Sequence, residues 1–498
     1  MREGAEIVLD RGNSKQSEDL KVKNAQDDGH FFIGVSSTGI YCRPICPARQ
    51  PKAENITFYG TAAEAEQAGY RPCLLCRPEL APGVEPTHSA ASLAYLAARF
   101  MEENCGDNEI LEILPVRFNC TENYLKQEFI TEYHVLPEQY LQTCRMLLAK
   151  SLFTDTNLSM DEVAQITGLE NEEKLDNLFQ KKYRLKPAAL RRKNHSSNIS
   201  AITNSNTMTL QLGYRPPYQW KQLLDFLDRR VISGVEIGRN GEYLRTVHLV
   251  DKDNKKVTGW LKASHLPKKN RLAVTMNKSL MPILPKVLSR VNHLFDLRCD
   301  PGRISETISS LNAIHQGLSL PGIRLPGCFD PFEMAVRAIL GQQVTVKAAG
   351  TLAKRLVEAF GVPIKTGVDG LTHIFPSPEV FMALKGSIAD HLGPLGITSA
   401  RAQTILELAR VTVEGGVDFD FYTSPETELN KLKNIAGIGD WTANYIGMRA
   451  MRWADAFPHT DYGVKKALAP RTPKEILALA EDWRPWRAYA AISLWNSL

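Results

Sequence analysis

No apolar run in the 498 residues approaches the ~20 residues that a membrane-spanning helix needs. The first residues, MREGAEIVLDRGN, hold no apolar core of the kind a secretory signal carries. These absences point to a cytoplasmic protein with no membrane partner, in a reducing compartment where disulfides are rare. Internal repeats are missing, and so are low-complexity tracts beyond two short polar joints. Strong net charge is missing too, at +5. Its distribution is uneven, because residues 194–498 hold 37 basic and 27 acidic residues and so carry all the excess. A basic C-terminal part is compatible with a polyanionic partner such as DNA. Length alone argues against one core and for several domains.

Cysteine is scarce except in one place. Four of the nine cysteines fall between Cys42 and Cys76. Cys42-x3-Cys46 and Cys73-x2-Cys76 are two close pairs, a spacing that gathers four thiolates around one tetrahedral Zn²⁺. A small domain gains folding energy from such a site.

Two joints punctuate the chain, LAPGVEPTH (80–88) and HSSNISAITNSN (195–206). Between them Val163, Ile166 and Leu169, then Leu175, Leu178 and Phe179, recur at helical spacing around Gly168, a pattern that predicts helix-turn-helix. Pro115 predicts an interrupted helix upstream. Past residue 207, LRTVHLV, VTGWLKA and RLAVTMN alternate like strands around the turn DKDNKK. Leu284, Val287, Leu288, Val291, Leu294 and Phe295 then mark one face of a helix, and helices continue to the end. The fold class expected is multidomain α+β. It comprises a small zinc-binding domain (1–88), an all-α helix-turn-helix module (89–194), a linker (195–206), a strand-rich α+β domain (207–298) and an all-α domain (299–498).

In LKNIAGIGDWTANY (432–445), Gly437-Ile438-Gly439 makes a tight hairpin between helices whose backbone N–H groups can face a phosphate. AFPHTDYGVKKAL follows, with Asp461 beside Tyr462.

The stretches STGIYCRPICPAR, NITFYG and AGYRPCLLCRP, over residues 28–79, closely resemble the N-terminal domain of the Ada-type adaptive-response regulators of alkylation repair. That resemblance makes Cys42 both ligand and nucleophile, taking a methyl group from a DNA methylphosphotriester, with Cys46, Cys73 and Cys76 as holders. It offers Thr38, Arg49 and Arg71 as backbone contacts, whereas Pro47 stands where the family is often basic. Residues 89–193 look like an AraC-type DNA-binding module, which implies promoter DNA and RNA polymerase as partners. Its second recognition segment, ENEEKLDN, is acidic, so the module either has decayed or reads an unusual sequence. The Lys181–Lys193 segment, with seven basic residues and no acidic ones, can still touch a backbone.

The hairpin and Asp461, together with YRPPYQW (214–220), LFDLRCDP (294–301), LPGCFDPFEMAVRAILGQQVTV (325–346) and WRPWRAYAAISLW (483–495), resemble the helix-hairpin-helix 3-methyladenine glycosylase II (AlkA) family. The resemblance implies a monomer that hydrolyses the N-glycosidic bond of alkylated purines in double-stranded DNA. Asp461 is then the catalytic carboxylate. Trp441, Tyr445, Tyr462, Trp495 and Phe226 form the base pocket, Gly437 and Gly439 contact the backbone, and Gln343 wedges the vacated stack. Trp441 stands where bifunctional relatives carry a lysine, so no lyase step is expected. The last cysteine is Cys328, which leaves no C-terminal set for an iron–sulfur cluster. Two rival readings stay open: a glycosylase whose front half is only a zinc-bound clamp, and a DNA-binding transcriptional sensor without base excision.

Overall fold

A computed structural model describes residues 24–85, 92–191, 206–419 and 424–498. Most of the joint at 195–206, the end of the joint at 80–88, and the basic residues Arg192 and Lys193 lie outside these. The chain divides into two compact units, one holding residues 1–84, 92–203 and 210–215, the other residues 85–91, 204–209 and 216–498. No helix among the described residues is long and apolar enough to cross a membrane.

The first unit starts with a four-stranded sheet made of β1 (Phe32–Val35), β2 (Ile40–Cys42), β3 (Ile56–Tyr59) and β4 (Arg71–Pro72), in the order β3-β1-β2-β4. β1 and β2 are antiparallel, with Ile33 opposite Cys42, and β2 and β4 are parallel, with Tyr41 opposite Pro72. Helix α1 (Ala62–Gln67) joins β3 to β4, and Thr61 caps it by accepting the Glu64 N–H. Phe32, Tyr41 and Ala65 pack beneath the sheet.

Helices follow: α2 (Leu93–Glu103), α3 (Ile110–Arg117), α4 (Glu122–Tyr133), α5 (Pro137–Asp155), α6 (Met160–Thr167) and α7 (Glu172–Leu178). The break predicted at Pro115 does not occur, since α3 runs through it to Arg117. Pro115 is the sixth residue of an eight-residue helix, so the only donor forfeited faces one carbonyl, and the helix closes past it with Phe118 N–H to Leu114 O at 3.0 Å. The predicted helix-turn-helix is present: α6 ends on Gly168 in the left-handed region (φ 65°), and Val163, Leu175 and Phe179 are buried. A wider turn, Phe179–Tyr183, follows α7.

Between residues 206 and 277 the three alternating segments form β7 (Glu242–Val250), β8 (Lys256–Leu266) and β9 (Arg271–Asn277), after β5 (Thr207–Gly213), α8 (Trp220–Asp228) and β6 (Glu236–Arg239). The sheet order is β5-β9-β8-β7-β6, and Val250 pairs with Lys256 across the DKDNKK turn. The predicted apolar face lies on α9 (Leu284–Leu294). Beyond it, the helices that frame the site are α10 (Pro331–Leu340), α11 (Val346–Phe360), α12 (Ser399–Val413), α13 (Pro425–Lys433), α14 (Asp440–Arg449), α15 (Tyr462–Ala467) and α16 (Arg487–Asn496). Their core includes Val336, Ile339, Leu356, Ile405, Leu408, Leu432 and Ile446.

Candidate functional site

Sheet geometry gathers the four predicted thiols. β2 ends on Cys42, and a tight turn, closed by Cys46 N–H to Arg43 O at 3.0 Å, returns Cys46 toward it. The parallel β2–β4 pairing continues as Cys73 N–H to Tyr41 O at 2.9 Å, which sets the second pair beside the first. The four Sγ atoms lie within 4.8 Å of one another. Zn–S bonds of ~2.3 Å in a tetrahedron need sulfurs ~3.8 Å apart, so the set fits zinc. Backbone N–H groups already face the sulfurs, Arg43 to Cys76 at 3.3 Å and Leu75 to Cys73 at 3.4 Å. Cys42 is partly exposed and the other three are buried.

Arg43, part of the quoted motif, is buried and structural. Its Nε donates to Asp28 at 2.8 Å, its Nη2 pairs with the same carboxylate, and its Nη1 reaches Cys76 O at 3.0 Å. Thr38 and Arg49 are exposed, and Arg71 is half-buried with its N–H on Gly39 O at 2.9 Å. Thr38 lies in the turn between β1 and β2, Arg71 pairs with Ile40 on β4, and Arg49 lies in the loop after Cys46.

In the second unit Asp461 caps α15. Its Oδ2 accepts the N–H groups of Gly463 (2.7 Å) and Val464 (3.2 Å) and the indole N–H of Trp495 (2.8 Å), and its Oδ1 accepts the indole N–H of Trp441 (2.8 Å). Gly463 permits this closure, because a Cβ there would lie 2.8 Å from Trp495 Cδ1. Trp441 stacks on Tyr445 (centroids 5.4 Å, 12°), Tyr445 tilts against Trp495 (6.1 Å), and Trp495 stacks on Phe226 (6.2 Å, 17°). Four of the five predicted pocket aromatics are thus in one group. Tyr462 is not; it is 76% exposed on α15. Phe226, only 4% exposed, backs Trp495.

Sequence reasoning missed two guanidinium groups. Arg230 lies 3.7 Å above the Phe226 ring, and Arg449 lies 5.0 Å from it while donating to Tyr445 Oη at 2.8 Å. Burial would raise the Tyr445 pKa, but Arg449, Arg230 and Arg337 outweigh it and hold the phenol below its ordinary value. Each arginine sits four residues after its aromatic partner, and that helical spacing was the available signal.

The hairpin joins α13 to α14. Gly437 has φ 92°, and a Cβ on it would meet Thr404 Oγ1 at 2.2 Å. Around Gly439 nothing lies within 4 Å of a built Cβ, so its backbone is open to an incoming group. Gln342 bridges to the hairpin through Gly437 O (2.8 Å) and Thr442 Oγ1 (3.0 Å). Its neighbour Gln343 is exposed at φ 52°, in the turn between α10 and α11.

Residues 16–79 match the metal binding domain of Ada, 116–193 a helix-turn-helix domain, 209–330 the AlkA N-terminal domain, and 336–472 the HhH-GPD superfamily of base excision DNA repair proteins. A Mycobacterium tuberculosis protein, the probable bifunctional transcriptional activator/DNA repair enzyme AlkA, is 31% identical over 486 residues, covering 96% of this chain and 95% of that one. Escherichia coli DNA-3-methyladenine glycosylase 2 is 32% identical over 284 residues, 57% of this chain and 95% of its own. The bifunctional transcriptional activator/DNA repair enzyme Ada of the same organism is 48% identical over 60 residues, 12% of this chain and 17% of its own. Cys42, Cys46, Cys73 and Cys76 form a four-cysteine zinc site. The chain belongs to the family of bifunctional transcriptional activator/DNA repair enzymes of the AlkA type.

Proposed function

We propose that the chain is a monofunctional glycosylase that hydrolyses the N-glycosidic bond of alkylated purines such as 3-methyladenine in double-stranded DNA. The observation that carries this is the Asp461 carboxylate, fixed by four N–H donors beside the Trp441–Tyr445–Trp495 aromatic group. A base extruded from the stack rests against these electron-rich faces, which suit a flat cation. As the bond from C1′ to the base nitrogen breaks, its electron pair leaves with the base. Positive charge grows on C1′, and the fixed carboxylate stabilises it until water adds its oxygen there and releases a proton to solvent. Gly437 and Gly439 hold a phosphate through the open hairpin backbone, Gln343 enters the vacated stack, and Tyr462 meets the substrate from the exposed side. Because a methylated purine is already an activated leaving group, no strong acid is required. Release of 3-methyladenine from methylated duplex tests the reading, and an Asp461→Asn protein that worked at the original rate would end it.

The same proposal assigns Cys42 the methyl group of a DNA methylphosphotriester. Bound zinc keeps the site's sulfurs as thiolates at neutral pH. Sγ of Cys42, the partly exposed residue of the four, forms the S–CH₃ bond while the methyl C–O bond breaks and its pair leaves on a phosphate oxygen. Thr38, Arg49 and Arg71 are assigned to the DNA backbone in this reading. The boundaries 1–88, 89–194, 195–206, 207–298 and 299–498 belong to the proposal, as do a monomeric state, a cytoplasmic location, and promoter DNA with RNA polymerase as partners.

One observation favours a clamp role for the helix-turn-helix module. Lys126, the lone cation of α4, is paired with Glu122 (2.6 Å) and Glu138 (3.2 Å), and Lys174, the lone cation of α7, is paired with Glu170. Phosphate contact in this module then falls to the stretch Lys181–Arg191. A footprint on promoter DNA supports sequence reading, whereas affinity independent of sequence supports the clamp.

A further inference from the structure

The turn between α10 and α11 holds a conformation that its residue types do not favour. Gln343 is not a glycine, yet its φ is 52°, in the left-handed region where a side chain is strained unless neighbouring contacts fix the backbone. From Gln343 to Val346 every residue is exposed. The anchored residue is the one before this run. Gln342 turns its side-chain amide to the hairpin, where Nε2 donates to Gly437 O at 2.8 Å and to Thr442 Oγ1 at 3.0 Å. Its own carbonyl accepts from Nη2 of Arg401. Gln342 is thus fixed at both ends, and the strained residue follows it directly.

Arg401 lies in the first turn of α12, and Thr404 stands one turn further on. The Thr404 hydroxyl is shared between Ala400 O of its own helix and Ala436 O of the hairpin, each at 2.9 Å. Residues three apart share a face of a helix, so one face of α12 holds both loops. It holds the Gln343 turn through Gln342 O and the hairpin through Ala436 O, and the Gln342 amide closes the third side between them. The fold does not call for that amide. The hairpin and α14 already pack through Ile435, Ile438, Ala443 and Ile446, all buried, whereas Gln342 is only half-buried.

We infer that Gln342 is a positioning residue for base extrusion. It locks the turn that carries Gln343 to the hairpin, so that the phosphate on the hairpin and the side chain entering the vacated stack are placed by one rigid unit. The inference rests on the glycosylase reading and on the role given there to Gln343. Extrusion leaves a gap in the stack, and filling the gap offsets part of the cost of unstacking and unpairing. A filler contributes in full only when its turn already stands at the right place relative to the phosphate. A turn free to swing has to be ordered on binding, and that entropy subtracts from the gain. None of the bonds of Gln342 among the described residues reaches Asp461 or the aromatic group, so Gln342 acts on extrusion and leaves bond cleavage alone.

Gln342→Met keeps the length of the side chain and removes the amide. The probe is a duplex with one 7-methylguanine, either paired with cytosine or placed in a one-nucleotide bulge, where extrusion costs less. Single-turnover base release at saturating full-length chain is followed for the wild type, Gln342→Met, Gln343→Ala and the pair. Gln342→Met should slow release about tenfold or more from the paired site and less than about twofold from the bulge. In the Gln343→Ala background it should change the paired rate by less than about twofold, because no filler is left to place. Arg401→Met frees the same turn from its other side and should repeat the pattern, so a folding fault in one variant does not decide the outcome. Equal losses on both duplexes in both variants, no loss on the paired one, or an undiminished loss in the Gln343→Ala background overturns the inference. A wild type that releases the base from neither duplex ends the glycosylase reading and this inference with it. Release from both without a selective loss in Gln342→Met ends the inference alone.

Discussion

Both oxygens of Asp461 are occupied before any substrate arrives, and this restricts what can replace it. Whichever way the amide introduced by Asp461→Asn turned, its NH₂ would face an N–H donor 2.7–2.8 Å away, either Trp441 or Gly463 with Trp495. Asp461→Asn should lower base release about 100-fold or more in single-turnover assays. Trp495→Phe keeps a ring but loses one donor, and should slow the same step more than it weakens duplex binding. Asp461 was legible from its motif. The indole bonds were not, because the direction of an N–H follows from how α14, α15 and α16 pack. For the same reason Tyr462 was placed among the pocket aromatics and is found exposed. Glu66 offers a test in pH. Burial raises its pKa from 4.5 to about 7, so the folded chain binds this proton more tightly than the unfolded chain. Its contribution to stability is full below pH 4.5 and is lost as pH rises through 7. The wild type should therefore lose thermal stability relative to Glu66→Gln across that interval.

At the scale of elements, the hairpin separates the work of its two glycines. Gly437→Ala meets both a positive φ and Thr404, and should destabilise the second unit by about 2 kcal/mol in denaturant unfolding. Gly439→Ala meets neither obstacle. It should leave the unfolding midpoint in place while weakening duplex binding, since its methyl group stands where a phosphate would approach. Sequence pattern located this hairpin, the helix-turn-helix and the three long strands, because each rests on local periodicity and on turn glycines. It misjudged Pro115, whose cost depends on how little helix follows it. The pairing of Lys126 with Glu122 and of Lys174 with Glu170 was available from their i,i+4 spacing, whereas that of Lys126 with Glu138 depends on how two helices pack.

Over the whole molecule, the first unit holds a core with Ala97, Met101, Leu125 and Phe129, and the second one with Val336, Ile339, Leu356 and Ile405. The small N-terminal sheet leans on metal, because the apolar cluster beneath it is built on just Phe32, Tyr41 and Ala65 among the described residues. Removing zinc with a chelator should shift one calorimetric transition to lower temperature, leave the other in place, and leave 3-methyladenine release unchanged. The zinc site was legible in the spacing of the cysteine pairs. The bonds from Tyr183 to Glu66 and from Arg77 to Asp155 did not show, since they join residues 117 and 78 positions apart. The pairing of a partly exposed Cys42 with Asp461 in one chain has a further consequence on the proposed reading. One polypeptide carries a thiol that is used once and a carboxylate that is used repeatedly. The fraction of chains with a spent thiol then records the cumulative dose of damage, while every chain, marked or not, goes on removing it.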